Sequence, residues 1–140
     1  MPLYGQIQVC DRAKKLTIMI YRCVRHFPPY ERFGMSSQMT RAALSIGSNV
    51  AEGQRRATTK DFRNFVCIAE GSLAELQFAL EVAKELEYVD EPEFSDIWEK
   101  SVELEKMLGA MRAAGPADQR APRGTAVLAV HYSLVTTHLP

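Results

Sequence analysis

The chain has 140 residues with zero formal net charge, and 46% of its residues are hydrophobic. That length suits one domain with its own core. Its three cysteines, Cys10, Cys23 and Cys67, include no C-x-x-C pair, which argues against a disulfide framework and a zinc site and predicts reduced core thiols in a cytoplasmic protein. With no signal-peptide pattern and no apolar stretch long enough for a membrane span, we expect no membrane partner.

Charge is distributed unevenly along the chain. Residues 1–66 contain eleven Lys and Arg against four Asp and Glu, a net charge of +7, whereas residues 67–115 contain four against twelve, a net charge of −8. One interpretation is that the two halves pair with each other, within one chain or between copies. The other is that the basic half faces an anionic partner such as nucleic acid. The two interpretations are compatible.

Apolar residues recur every three or four positions in four segments, and this spacing predicts four amphipathic helices. They are predicted over residues 7–27, 37–53, 59–87 and 90–114. The Pro28–Pro29 pair ends the first helix, because proline lacks the amide donor. Ser36 or Ser37 is the expected N-cap of the second helix and Gly53 its C-terminal cap. Thr58 begins the third helix in a Thr-x-x-acid capping pattern.

The third predicted helix has two faces that we expect to be buried. One is an apolar seam, and the other is made of small residues ending in an aromatic ring: Cys67, Gly71, Ala74 and Phe78. A glycine inside a helix costs about 1 kcal/mol relative to alanine. Gly71 therefore predicts that another helix crosses closely there, and the small face of the second helix at Gly47 and Ala51 is the expected partner.

Four amphipathic helices with short connections predict an all-α fold, an antiparallel up-down four-helix bundle over residues 1–115. Residues 116–140 are predicted to be a Pro/Gly/Arg linker followed by an irregular C-terminal tail, since they lack helical periodicity. The apolar and small faces of the second and third helices exceed what one bundle core needs. This excess predicts self-association into a homo-oligomer.

No catalytic, cofactor or metal constellation stands out in the sequence, so the candidate functional residues are basic. Those predicted to bind nucleic acid are Arg22, Arg25, Arg41, Arg55, Arg56, Lys60 and Arg63. Five of them cluster around the second helix and its connection to the third, where arginine can make bidentate contacts to phosphate or carboxylate. The alternative is that Arg41 or Arg56 pairs with a carboxylate of the bundle, namely Glu52, Glu70 or Glu75.

Two motifs carry a family resemblance. The run SIGSNVAEGQRR at residues 45–56, followed by FVCIAEGSLAEL at 65–76, resembles the four-helix-bundle family first noticed as proteins encoded in intervening sequences of bacterial large-subunit ribosomal RNA genes. FPPYERFGM at 27–35 and QMTRAA at 38–43 also match that pattern, and the resemblance covers about residues 7–90.

The resemblance implies a four-helix protomer, a ring-shaped homopentamer and a role with nucleic acid. Relatives of this family include the accessory variability determinant of diversity-generating retroelements, which serves a reverse transcriptase and its RNA through a basic surface. The chain departs from the family pattern at Cys10, where tryptophan is usual, and at Glu70, where a basic residue is common. Glu70 removes one positive charge from the surface that the resemblance implies.

The leading hypothesis is a non-enzymatic, oligomeric RNA- or DNA-binding protein whose Arg and Lys side chains neutralise phosphates, mostly without regard to sequence. The alternative is a protein-interaction adaptor, for example an accessory subunit of a reverse transcriptase in a diversity-generating retroelement. In that case the charge asymmetry would serve subunit pairing.

Overall fold

Residues 3–116, the part of the chain that the computed structural model describes, form four α-helices around one hydrophobic core. The helices are α1 (Leu3–Val24), α2 (Met35–Gln54), α3 (Thr59–Glu85) and α4 (Glu91–Ala114), with a short 3-10 helix at Pro29–Glu31. The predicted all-α class with four helices is confirmed, and residues 3–116 contain no strand. The predicted linker and tail lie outside the described residues, apart from residue 116.

Each helix packs against its neighbours in the chain, and α4 also packs against α1. Between α1 and α2, Thr17 Oγ1 donates to the carbonyl oxygen of Ala43 at 3.1 Å. Between α3 and α4, Gln77 Nε2 donates to Ser101 Oγ at 3.2 Å, and Lys84 pairs with Glu91 at 3.2 Å. The side chains that these contacts surround are almost all apolar, so burial of the four helical stripes holds the fold together. No helix within residues 3–116 is long and apolar enough to cross a membrane.

The helix starts show which caps the sequence predicted correctly. Thr58 caps α3 as predicted, because its Oγ1 accepts the amide of Asp61 at 3.1 Å. The predicted serine cap of α2 is wrong: α2 begins at Met35, and its amide donates to Glu31 Oε2 at 2.9 Å. The 3-10 turn brings the Glu31 carboxylate beneath the first turn of α2, so the serines at 36 and 37 lie inside the helix.

Three helices end at residues other than those predicted. α1 ends at Val24 rather than at residue 27, and Phe27 lies beyond the helix with its ring centroid 5.3 Å from that of Tyr88. Gly53 does not cap α2 but lies buried within it, and α2 extends to Gln54. α3 ends at Glu85 because Glu87 adopts φ 61°, and the amide of Tyr88 then donates back to the carbonyl oxygen of Ala83 at 2.9 Å.

The small faces of α2 and α3 do not meet as predicted. Gly47 faces α1, where a β-carbon added to it would lie 3.6 Å from Ala13 Cβ, and a β-carbon on Gly71 would meet nothing within 4 Å. Close contact between α2 and α3 occurs instead at Gly53, whose added β-carbon would lie 3.0 Å from Phe65 Cβ. Gly71 follows the buried Ala69 by two residues, a rotation of about 200° that turns it outward.

The second face of α3, predicted to be buried, is exposed in this chain. Cys67, Gly71 and Ala74 are exposed, and Phe78 retains 69% of its accessible surface. The prediction of a core thiol therefore fails for Cys67. It holds for Cys23, where burial and the nearby Glu93 carboxylate raise the pKa of the thiol to about 12.

The glycine contacts yield a matched pair of substitutions. Gly53→Ala should lower the free energy of unfolding by about 1–3 kcal/mol, because the new methyl group would press against Phe65 Cβ and the main-chain oxygen of Phe62 and force the helices apart. Gly71→Ala should raise it by up to about 1 kcal/mol, since alanine favours helix and the site is open. Urea unfolding of dilute protein measures both. A Gly53→Ala variant as stable as the parent would contradict the close approach.

The end of α3 yields a second prediction. Glu87→Gly should raise the free energy of unfolding by about 0.5–1 kcal/mol, because glycine adopts a positive φ without the clash of a β-carbon. Glu87→Ala is the control, since it removes the carboxylate and keeps the β-carbon. Thermal and urea unfolding of the three proteins should place only the glycine variant above the parent. Equal gains for both variants would assign the effect to charge instead.

Candidate nucleic-acid interface

Four of the predicted nucleic-acid-binding residues lie around the α2–α3 connection. Arg55 and Arg56 follow the last residue of α2, and Lys60 and Arg63 lie in the first two turns of α3; all four are exposed. Only residues 55–58 separate the two helices, so the four side chains start from one end of the α2–α3 pair. We call these four residues the connection patch.

Two arginines of the connection patch are held by the bundle itself. Arg56 pairs with Glu52, as one alternative from the sequence predicted, and its guanidinium carbon lies 4.7 Å from the centroid of the Phe65 ring. Arg63 Nε donates to the main-chain oxygen of Arg112 at 3.1 Å, in the last turn of α4 where carbonyl groups lack helical partners. Each guanidinium has five N–H donors, so these contacts orient both arginines and leave donors for a further partner.

The other two residues of the connection patch, Arg55 and Lys60, form no ion pair with any residue between 3 and 116. Lys60 lies beside the exposed Asp61 in the first turn of α3. Even with Asp61 and Glu52 counted, the segment from residue 52 to residue 63 carries four basic groups against two acidic ones. The connection patch is therefore a net positive surface with two side chains available for an anion.

The remaining predicted site residues lie elsewhere. Arg22 and Arg25 are at the end of α1, close to the start of α2, and about 28 Å of α2 separates that start from the connection patch. Arg41 lies on the exposed side of α2 in a shallow groove with Glu75 and Phe78. It forms no ion pair within the described part of the chain, while Glu70 pairs with Arg112.

The charge asymmetry is mostly not neutralised within one protomer. Of five ion pairs among residues 3–116, one joins the basic half to the acidic half, between Arg12 on α1 and Glu103 on α4. The others join residues within the same half, such as Arg112 and Glu70 at 2.9 Å. In this last pair, Arg112 neutralises the carboxylate of Glu70, the residue whose negative charge was expected to oppose phosphate binding. The excess positive charge of residues 3–66 thus remains available to a partner.

A second groove, which the sequence did not predict, lies at the α1–α2 connection. It has a volume of about 590 Å³, and its lining includes Tyr21, Arg25, Arg32, Phe33, Ser36 and Ser37. Phe33 is 89% exposed, and the guanidinium carbon of Arg32 lies 5.3 Å from its ring centroid. We call this the aromatic groove. The sequence feature that could have indicated this groove is Phe33, a large apolar residue that lies between two helices and outside the apolar stripe of either.

The polar side chains elsewhere in residues 3–116 do not form the arrangement that metal binding requires. No group of three or more His, Cys, Asp or Glu residues there could hold a metal ion. Ser45 Oγ lies 2.8 Å from Ser72 Oγ, a contact that joins α2 to α3, and Asn49 Nδ2 donates to the carbonyl oxygen of Ser45 at 2.8 Å within α2. His131 and His138 lie outside the described residues.

Comparison with solved structures identifies a protein with a similar fold. The chain is similar to a solved structure from Bacteroides thetaiotaomicron, a protein with unknown function from the S23 ribosomal protein family. The two are 25% identical with a TM-score of 0.72, and the match covers 78% of this chain and 98% of the other. No curated protein matches the chain.

The family predicted from the two sequence motifs is confirmed. A family model described as "23S rRNA-intervening sequence protein" matches residues 5–110, a span that includes all of α2 and α3 and most of α1 and α4. The relation to the retroelement accessory protein stays a prediction. The chain belongs to the 23S rRNA-intervening sequence protein family.

Proposed function

We propose that this protein is a non-enzymatic nucleic-acid-binding protein that binds RNA or DNA through the connection patch. The observation that carries the proposal is the exposure of Arg55 and Lys60 without an ion-pair partner among residues 3–116. Such side chains can neutralise phosphates and release the counterions condensed on them, which gives affinity without reading base sequence. Membership of a family named after intervening sequences of 23S rRNA supports RNA as the first nucleic acid to test.

The anchored arginines support the same proposal. Arg56 and Arg63 are already oriented by Glu52, the Phe65 ring and the end of α4, so they lose less side-chain freedom when they donate to a phosphate. The amino-terminal end of α3 adds a partial positive charge to the connection patch. Phosphates would thus contact two anchored cations, Arg56 and Arg63, and two exposed cations without an ion pair to residues 3–116, Arg55 and Lys60.

We further infer an antiparallel up-down arrangement of the four helices and assembly into a ring-shaped homopentamer acting in the bacterial cytoplasm. The exposed apolar surface of α2 and α3 supports self-association, since Leu44 and Ile68 remain half exposed and Phe78 remains 69% exposed. A ring would repeat the connection patch once per protomer. Repetition on one assembly strengthens weak individual contacts by raising their effective concentration.

The same apolar surface favours a second candidate function, an adaptor for another protein such as a reverse transcriptase. In that case Phe78 and Ile68 would contact the partner, and the basic residues would steer association. The two candidates differ in what the connection patch does: a nucleic-acid-binding protein needs it for affinity, whereas an adaptor needs the apolar surface. Substitutions confined to each surface separate them.

The connection patch can be tested by a salt titration. Fluorescence anisotropy with a labelled 20-nucleotide RNA should show affinity that falls linearly on logarithmic axes as salt increases. Arg55→Gln with Lys60→Gln should reduce the slope by about 1.4, because two phosphate contacts of about 0.7 each are lost. Absence of binding at 50 mM salt, or binding indifferent to salt, would overturn the proposal.

The matched control for that experiment is Lys100→Gln with Lys106→Gln. Both lysines are exposed on α4, and the double substitution changes the net charge equally. It should leave the slope and the affinity close to those of the parent protein. A control that weakens binding as much as the patch variant would mean that net charge, and not the patch, determines affinity.

Self-association can be tested by light scattering. The parent protein should have about five times the chain mass of 15.7 kDa. Ile68→Ser with Phe78→Ser should yield monomers with unchanged helix content, because both side chains are exposed in the protomer. Leu86→Ser, which alters a half-exposed residue just after α3, is the control and should keep the oligomer. A monomeric parent protein would contradict the ring.

A further inference from the structure

We propose that the aromatic groove binds the unpaired bases of single-stranded nucleic acid. This inference rests on the proposed function and adds to it the strand form that the protein prefers. The connection patch accounts for phosphate binding, which single strands and duplexes share. The aromatic groove lies about 28 Å of helix away and presents a different chemistry, namely ring faces beside arginines.

The exposure of the rings is the first argument. Phe33 and Tyr21 line the groove and are 89% and 42% exposed, and Tyr30, on the same connection but outside the groove lining, is 75% exposed. Large aromatic side chains are a major source of burial energy, so rings left in water in this short region mark a surface that a partner covers. Arg32 lies over one face of the Phe33 ring and leaves its remaining surface open.

The rigidity of the groove is the second argument. Glu31 accepts the first amide of α2, which fixes the segment that carries Phe33. The hydroxyl groups of Tyr30 and Tyr88 lie 3.0 Å apart, which ties the same segment to the residues that follow α3. Because the backbone of this segment is already anchored, less conformational freedom is lost when a base stacks on Phe33.

Charge is the third argument. Arg25 and Arg32 line the groove, and Arg22 is exposed in the last turn of α1. The acidic residue of this segment, Glu31, is engaged by the amide of Met35. Positive charge beside open ring faces is typical of surfaces that bind single strands, in which arginines contact phosphates while bases stack on the rings.

The lining also favours nucleic acid over an apolar protein partner. Apart from its rings and prolines, the groove contains one aliphatic side chain, the half-buried Val24, while Ser36, Ser37 and Thr40 supply polar atoms. A helix of a protein partner would need several aliphatic contacts to bury its own apolar face. In a duplex the bases are stacked on one another, so their faces cannot reach Phe33.

The test compares single-stranded (U)20 RNA with a 20-base-pair RNA duplex at one salt concentration. Phe33→Leu should weaken binding of (U)20 by about fivefold to 150-fold, because leucine keeps the apolar volume and removes the stacking face. Binding of the duplex should change less than twofold. Phe33→Tyr keeps the ring and should bind (U)20 like the parent protein. Since Phe33 is exposed, thermal unfolding of the variants should match that of the parent.

A direct readout is a single strand that contains 2-aminopurine. Its fluorescence should be quenched by the parent protein and by Phe33→Tyr, and much less by Phe33→Leu, because quenching reports stacking. The connection-patch variant, Arg55→Gln with Lys60→Gln, should weaken single strand and duplex alike. That pattern would separate the contribution of the phosphate surface from that of the groove.

The outcomes distinguish the two proposals. If the parent protein binds both probes in a salt-dependent way and Phe33→Leu weakens neither or both equally, the groove inference is overturned and the proposed function stands. If the parent binds neither probe at 50 mM salt, both are overturned. If Phe33→Leu loses binding of an acidic peptide while it binds (U)20 as the parent does, the groove is a protein-binding site and the inference is again overturned.

Discussion

The close approach of α2 and α3 at Gly53 is the contact on which the candidate interface depends. With no β-carbon at this position, the last turn of α2 packs closely on the Phe62 main-chain oxygen and Phe65 Cβ in the first two turns of α3. The short connection between the helices can then close, and Arg56 lies over the Phe65 ring. A larger residue at 53 would separate the helix ends and with them the basic side chains, so packing and electrostatics are coupled at this end of the bundle.

Intramolecular contacts divide the basic residues of the connection patch into two groups. Arg56 and Arg63 are oriented by contacts with the bundle, whereas Arg55 and Lys60 are exposed without an ion-pair partner among residues 3–116. Exposed ion pairs contribute little to stability, at most about 1 kcal/mol. The Arg56–Glu52 pair therefore matters more for the orientation of the Arg56 guanidinium than for the stability of the fold. Most of the charge asymmetry survives folding because, among residues 3–116, the Arg12–Glu103 pair is the only ion pair between the basic and the acidic half.

The α1–α2 connection combines the start of α2 with the aromatic groove in one short segment. Glu31 replaces a side-chain N-cap for α2, and the prolines before it limit the conformations of the turn. The same geometry leaves Phe33 and Tyr30 without a place in the core, because the apolar stripes of α1 and α2 end on either side of them. Basic surfaces at the two ends of α2 would let one strand contact the protein at both, with phosphates at one end and bases at the other.

The sequence by itself determined the four helices, the Thr58 cap and the family, because these depend on local periodicity, local hydrogen bonding and motif spacing. It also placed the basic residues in one half of the chain, but it could not show that Arg55 and Lys60 form no ion pair with residues 3–116 while contacts within that range hold Arg56 and Arg63. Only the packed helices show that Gly53 and not Gly71 is the point of close approach, because Gly71 lies two residues, a rotation of about 200°, from the buried Ala69 and so faces away from α2. Pairing across helices and the exposure of Phe33 depend on how the helices are rotated against each other, and periodicity within one helix does not fix that rotation.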